Sequence, residues 1–144
     1  MEILKHAHSG LRWVALILLI IAIVNAFSKK GVSLYLKKDK MINLFTMISL
    51  HTQLLLGLIL YFTSDKVKFV EGWMKQPMLR FYGMEHFVMM LAALVIVTIG
   101  RKKAEKIEAP YSKHQTIGKW YLIGLLIILA AIPWPFRNLG AGWF

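Results

Sequence analysis

The chain has 144 residues, 58% of them hydrophobic, and a formal net charge of +11. So much apolar surface cannot be hidden in a core of this size, which excludes an ordinary water-soluble globule and makes lipid the solvent for much of the molecule. The cations sit in the connections between apolar runs, which argues against nucleic acid as a partner, and the absence of cysteine excludes disulfides, thiolate metal sites, iron-sulfur clusters and covalently attached c-type haem.

The first apolar run covers residues 11–27 and predicts a helix over about 8–28, with His6, His8 and Arg12 at its mouth. A charged start before an apolar run resembles a secretory signal. However, Asn25-Ala26-Phe27-Ser28-Lys29 offers no small-x-small cleavage site, so a retained helix is expected. The link that follows carries Lys29, Lys30, Lys37, Lys38 and Lys40.

The second run, residues 41–62, predicts a helix over about 41–63 with His51 inside it. Thr46, Ser49, Gln53, Gly57 and Tyr61 fall on one face at helical spacing, a stripe expected to serve close helix packing, and His51 points away from it.

The third run, residues 81–100, predicts a helix over about 78–100 that begins just after Pro77 and carries Glu85 and His86. Glu85 is expected to pair with Arg80 or Lys75 near the interface rather than move protons. After a link with Arg101, Lys102, Lys103, Lys106 and Lys113, the fourth run (119–132), with its lead-in from Pro110, predicts a helix over about 110–132. Pro110 suits a first helical turn, and Pro133-Trp134-Pro135 stops the helix sharply.

These elements predict an all-α fold, an integral membrane four-helix up-down-up-down bundle forming a single transmembrane domain over residues 1–144. Aromatic residues at the segment ends, among them Trp13, Tyr61, Tyr82, Trp120 and Trp134, fit interfacial belts. The two strongly basic links fall on one side. The positive-inside rule makes that side cytoplasmic and places both termini in the periplasm of a bacterial inner membrane, although Lys66, Lys68, Lys75 and Arg80 weaken the asymmetry.

Each run or its lead-in holds a histidine: His8, His51, His86 and His114. Ionisable groups are costly in lipid, so imidazoles on all four helices point to ligation in the bundle interior, with haem iron the best candidate. Counting from the basic side at 1.5 Å per residue puts His114 about 6 Å deep, His51 about 15 Å, His86 about 21 Å and His8 about 28 Å. The depths suggest two diagonal pairs, His8 with His86 and His51 with His114, and therefore two stacked haems. Pairing His51 with His86 around one central haem is the alternative.

Gly118 and Gly83 are expected to leave room for a macrocycle beside His114 and His86, and Arg12 to meet a propionate. His51 and His86 make the strongest case. His114 and His8 have the competing reading of solvated interfacial histidines, and His6 can take the place of His8.

Two other function classes compete with the haem reading. Met74, Met78, Met84, Met89 and Met90 cluster around the third helix, and thioethers with histidine suit Cu(I), as in a copper-binding or transport protein. Alternatively the chain is a cofactor-free accessory subunit of a larger membrane complex. No nucleophile, phosphate-loop or metalloprotease motif supports a hydrolase.

The segments His6-Ala7-His8-Ser9-Gly10-Leu11-Arg12-Trp13, His51-Thr52-Gln53, Glu85-His86, His114-Gln115-Thr116-Ile117-Gly118 and the C-terminal run from Pro133 to Phe144 resemble a family of small four-helix Bacteroidetes proteins labelled cytochrome B. The layout is also similar to bacterial cytochrome b561, with histidines paired across four helices. The resemblance implies non-covalent haem b, one or two per chain. It leads to the expectation of electron transfer between quinol and an exterior or complex-bound partner.

Overall fold

The computed structural model describes residues 1–144 and contains four long helices, α1 (Glu2–Phe27), α2 (Lys37–Thr63), α3 (Pro77–Glu105) and α4 (Pro110–Ala131), each long and apolar enough to cross a membrane. The expected elements are present, but three extend further. α1 begins at Glu2 rather than near 8, α2 at Lys37 rather than near 41, and α3 continues to Glu105 rather than about 100. Hydropathy marks only the stretch that suits hydrocarbon, whereas the backbone ladder continues into polar flanks that water can solvate. In α3 the extension places Lys102 and Lys103 in the last turn, where cations complement the helix dipole.

α3 is interrupted once. Pro77 occupies the first turn, and the segment Phe81–Glu85 is a π turn that ends when the His86 amide donates to the Phe81 carbonyl five residues back. One residue beyond the regular turn rotates the following side chains by about 100° relative to an uninterrupted α-helix. The direction of His86 is therefore set by this turn.

Cross-helix hydrogen bonds fix the register of α1 on α2. Gln53 donates to the His8 carbonyl, Thr46 to the Leu18 carbonyl, and Asn25 to Asp39, so the two helices run in opposite directions. α3 and α4 form the most extensive seam. Gly100 receives Trp120, and Gly124 faces Val97, so that a Cβ added at Gly124 lies 2.5 Å from Val97 Cγ2. Small residues at the seam let the two backbones approach closely. α1 also packs along α4, while α2 touches α3 only lightly.

Only 27 of the 144 residues are buried, centred on Leu19, Ala22, Ala93, Val97, Ile117 and Tyr121. The outer faces stay apolar, with Ile17, Val24, Leu55, Ile59, Val95 and Leu126 exposed, as fits helices apolar enough to cross a membrane.

At the basic end a polar cluster closes the bundle. Buried Asp39 accepts from Asn25 at 2.9 Å and from the Leu36 amide at 2.8 Å, and Lys29 lies 3.3 Å away. Tyr35 bridges Asn43 and Glu105, and the Tyr121 hydroxyl donates to the Asn43 carbonyl.

Candidate functional site

The end of α4 is shaped by its prolines. Pro133 and Pro135 have no amide to return to the carbonyls of Leu129 and Ala131, so both oxygens need other donors. The Trp134 indole takes Leu129 at 2.9 Å, and His86 Nδ1 takes Ala131 at 2.8 Å. Arg137 satisfies the Ala130 and Ile132 carbonyls. A carbonyl can only accept, so Nδ1 of His86 carries the proton and Nε2 is the nitrogen left free.

His86 lines a cavity of about 340 Å³ whose walls come from all four helices and the C-terminal tail. This volume is in the range of small-molecule sites. Across it stands His8, with the two ring centres 6.4 Å apart and the ring planes at 84°. Leu16, Leu58, Met90, Leu94 and Ile128 supply an apolar lining.

Several polar atoms at this cavity are buried without a partner: His8 Nδ1, Gln53 Oε1 and Arg12 Nε. Buried polar groups are normally paired, and three unpaired ones lining one cavity mark a place where a ligand or ordered water completes the bonding.

The tail folds over the mouth. Arg12 Nη2 and Trp13 Nε1 both donate to the Trp143 carbonyl, at 2.6 and 2.9 Å, and Tyr82 donates to the Leu139 carbonyl. Lys66 donates to the Gly140 carbonyl. Burial lowers the Lys66 ammonium below the ordinary lysine range, with Lys5 adding repulsion. Positive φ at Asn138 and Gly140 turns the chain back.

No protein-family model, curated protein or solved structure matches the chain.

The histidines on the other helices lie in different surroundings. His51 bonds through Nδ1 to the Met47 carbonyl at 2.8 Å and lines a separate groove between α2 and α3. His114 is fully buried at the basic end, where Nε2 donates to the Leu34 carbonyl at 3.1 Å, Asp39 is 4.0 Å away and Tyr35 packs on its ring. His51 and His114 share no cavity and no hydrogen bond. Thus His8, His86 and Arg12 come together, whereas His51 and His114 do not join them. No three His, Asp or Glu side chains converge as a metal cluster.

The room expected beside two glycines is filled by the protein itself. The Phe27 ring covers Gly118, lying 2.7 Å from where its Cβ would be, and Trp73 and Phe69 cover Gly83. Gly57 is the glycine beside a cavity histidine, with an added Cβ 3.4 Å from His8 Cε1. Glu85 pairs with Arg80 at 2.7 Å, as its position near the helix start implied.

Three of the five residues of the α2 stripe do more than pack. Thr46 and Ser49 bond to backbone carbonyls, but Gln53, Gly57 and Tyr61 also line the cavity, Tyr61 through a bond to the Gly83 carbonyl. The periodicity of the stripe was the available signal. The Ala131 acceptor and the tail contacts had none, because both depend on how the chain turns after Pro133.

Proposed function

We propose that the chain is a b-type cytochrome of a bacterial inner membrane, a four-helix up-down-up-down bundle with both termini in the periplasm, holding one haem b between His8 and His86. The observation that carries this reading is the pair of imidazoles facing one another across the apolar cavity. Two imidazoles on opposite sides of one metal, with metal-nitrogen bonds of about 2 Å and about 1.1 Å from nitrogen to ring centre, have centres about 6.2 Å apart. The separation here is 6.4 Å.

The surrounding residues fit the same ligand. The bond from His86 Nδ1 to Ala131 fixes the ring and raises the basicity of Nε2, the role that outer-shell partners have around ligating histidines. Gly57 leaves space beside His8. Arg12 and Lys66 at the mouth supply the positive charge that propionates need. A haem so held supplies one-electron transfer, which suits a carrier between quinol and an exterior or complex-bound partner better than a hydrolytic or transferase enzyme.

The depth-matched pair His51 and His114 is left out of this proposal. His114 uses Nε2 on Leu34 and sits against Asp39 and Tyr35, and His51 faces the outer groove. One haem per chain follows.

A second reading has one observation in its favour, because Met90 shares the cavity with both histidines. A thioether and two imidazoles suit Cu(I).

Reduced-minus-oxidised visible spectra of detergent-purified protein, produced with ample haem, test the proposal. A Soret band and a reduced α band of b type are expected, lost in His8→Ala and His86→Ala and kept in His51→Ala and His114→Ala. Absence of pigment from the wild-type chain overturns the cytochrome reading, and copper found in that sample by metal analysis supports the second.

A further inference from the structure

The groove between α2 and α3 has about 310 Å³ of space and is lined by His51, Leu54, Leu91, Leu94, Val95 and Ile99, with Lys102 toward the basic end. It exists because α2 and α3 pack only lightly, and its mouth lies among the exposed side chains Leu91, Val95 and Ile99. Any occupant comes from the lipid phase.

His51 defines what that occupant presents. Its Nδ1 donates to the Met47 carbonyl, so in the neutral ring Nε2 carries a lone pair and only accepts. The one hydroxyl in the groove, that of Thr98, already donates to the Leu94 carbonyl at 2.7 Å. An acyl chain alone leaves Nε2 unpaired in hydrocarbon, which is unfavourable. The complementary ligand is a lipid-soluble molecule with an O–H donor that can sit at the middle of α2, well below the headgroups.

We infer that this groove binds the reduced, hydroxyl-bearing form of a lipid-soluble quinone, with the quinol O–H donating to His51 Nε2 and the apolar tail along Leu91, Val95 and Ile99. The oxidised quinone has carbonyl oxygens in place of hydroxyls and offers no donor to this nitrogen. Leu54 and Leu94 line both the groove and the cavity of His8 and His86, so a single layer of side chains separates the two sites. As the site of an electron donor the groove rests on the cytochrome reading; as a binding site it does not.

The test is direct binding of a short-tailed ubiquinol, its oxidised quinone and its O-methylated ether to the full chain in lipid nanodiscs, under anaerobic conditions for the quinol, read by ligand-observed NMR. The expected result is an affinity for quinol at least about tenfold above the other two, consistent with one lost hydrogen bond that leaves a polar atom unpaired. The preference should vanish in His51→Leu and persist in His51→Gln, whose carboxamide oxygen still accepts.

Equal affinities for the three ligands, or a preference that survives His51→Leu, overturn the site and leave an acyl-chain groove only. The comparison among ligands in the wild-type chain decides the matter even where a variant fails to fold. Haem content does not enter the readout, so a chain without pigment still tests the groove, and a pigmented chain without the preference refutes the groove alone.

Discussion

His86 Nδ1 lies 2.8 Å from the carbonyl oxygen of Ala131, an acceptor left without a helical partner because α4 ends there and the chain turns extended at Ile132. The bond joins two devices that are far apart in sequence. The π turn before His86 sets the direction of the ring from α3, and the proline stop of α4 supplies the oxygen that holds it. Together they fix the tautomer and leave Nε2 as the free nitrogen of a ring whose centre lies 6.4 Å from that of His8.

Replacing both prolines after α4 tests this arrangement without touching the histidine. In Pro133→Ala/Pro135→Ala the helix can run on past Ala131, and the amide of residue 135 can take the Ala131 carbonyl from His86. Loss of an outer-shell partner typically weakens a metal site by about 10- to 100-fold. Haem affinity of the double variant, measured by titrating haem into apoprotein, should fall by that order with no loss of helical circular dichroism. Wild-type affinity in the variant would show that the carbonyl does not orient the ring.

The seam between α3 and α4 gives a prediction about stability. A Cβ at Gly100 would run into Cβ and Cγ of Trp120, atoms tied closely to the α4 backbone, so the helices must separate to admit it. Overpacking of this kind costs about 1–3 kcal/mol. Gly118→Ala meets only the outer ring atoms of Phe27, a side chain that is 41% exposed and free to move. Unfolding in mixed micelles should therefore show a clear loss for Gly100→Ala and a smaller one for Gly118→Ala, and equal losses would contradict the seam.

The four long apolar helices were legible in hydropathy because each is a near-continuous apolar run, and Pro77, Pro110 and the Pro133-Trp134-Pro135 stop marked ends that the structure keeps. Helix starts were less legible, since the mixed residues at 2–7 and the charged ones at 37–40 continue the ladder beyond the apolar stretch. Depth along a helix placed His8 beside His86 correctly but carried no information about azimuth. His51 and His114 have compatible depths, yet one faces the α2–α3 groove and the other the Asp39 cluster. The π turn that rotates His86 has no periodic signature, and the tail contacts use backbone carbonyls that any residue could supply.

At the basic end, Tyr35 provides a pH-dependent test. Burial pushes its phenol up to about 12, with donation from Asn43 opposing the shift and the Glu105 carboxylate adding to it. The folded value lies above the ordinary value of about 10, so the stabilisation it contributes is fully present below about pH 10 and is lost as pH rises through 12. An ultraviolet difference titration of wild type against Tyr35→Phe should place this phenol well above the ordinary value. Ionisation near pH 10 would mean that water reaches the Asn43–Tyr35–Glu105 bridge.

The tail gives the last prediction. Trp13 donates to the Trp143 carbonyl, stacks on the Trp143 ring at 6.4 Å and has the Phe144 ring at the same distance, so residues 139–144 shield both Trp13 and the cavity mouth. Their removal leaves Arg12, Trp13 and Lys66 without the acceptors they now use. Iodide quenching of tryptophan emission should increase in a chain ending at Asn138, and by more than in Trp143→Phe, which removes one indole but keeps every backbone carbonyl. The same deletion should shorten the lifetime of bound haem, because the mouth is no longer closed and Arg12 is no longer positioned. Quenching and haem release that match those of Trp143→Phe would show that the carbonyl contacts do not hold the tail over the site.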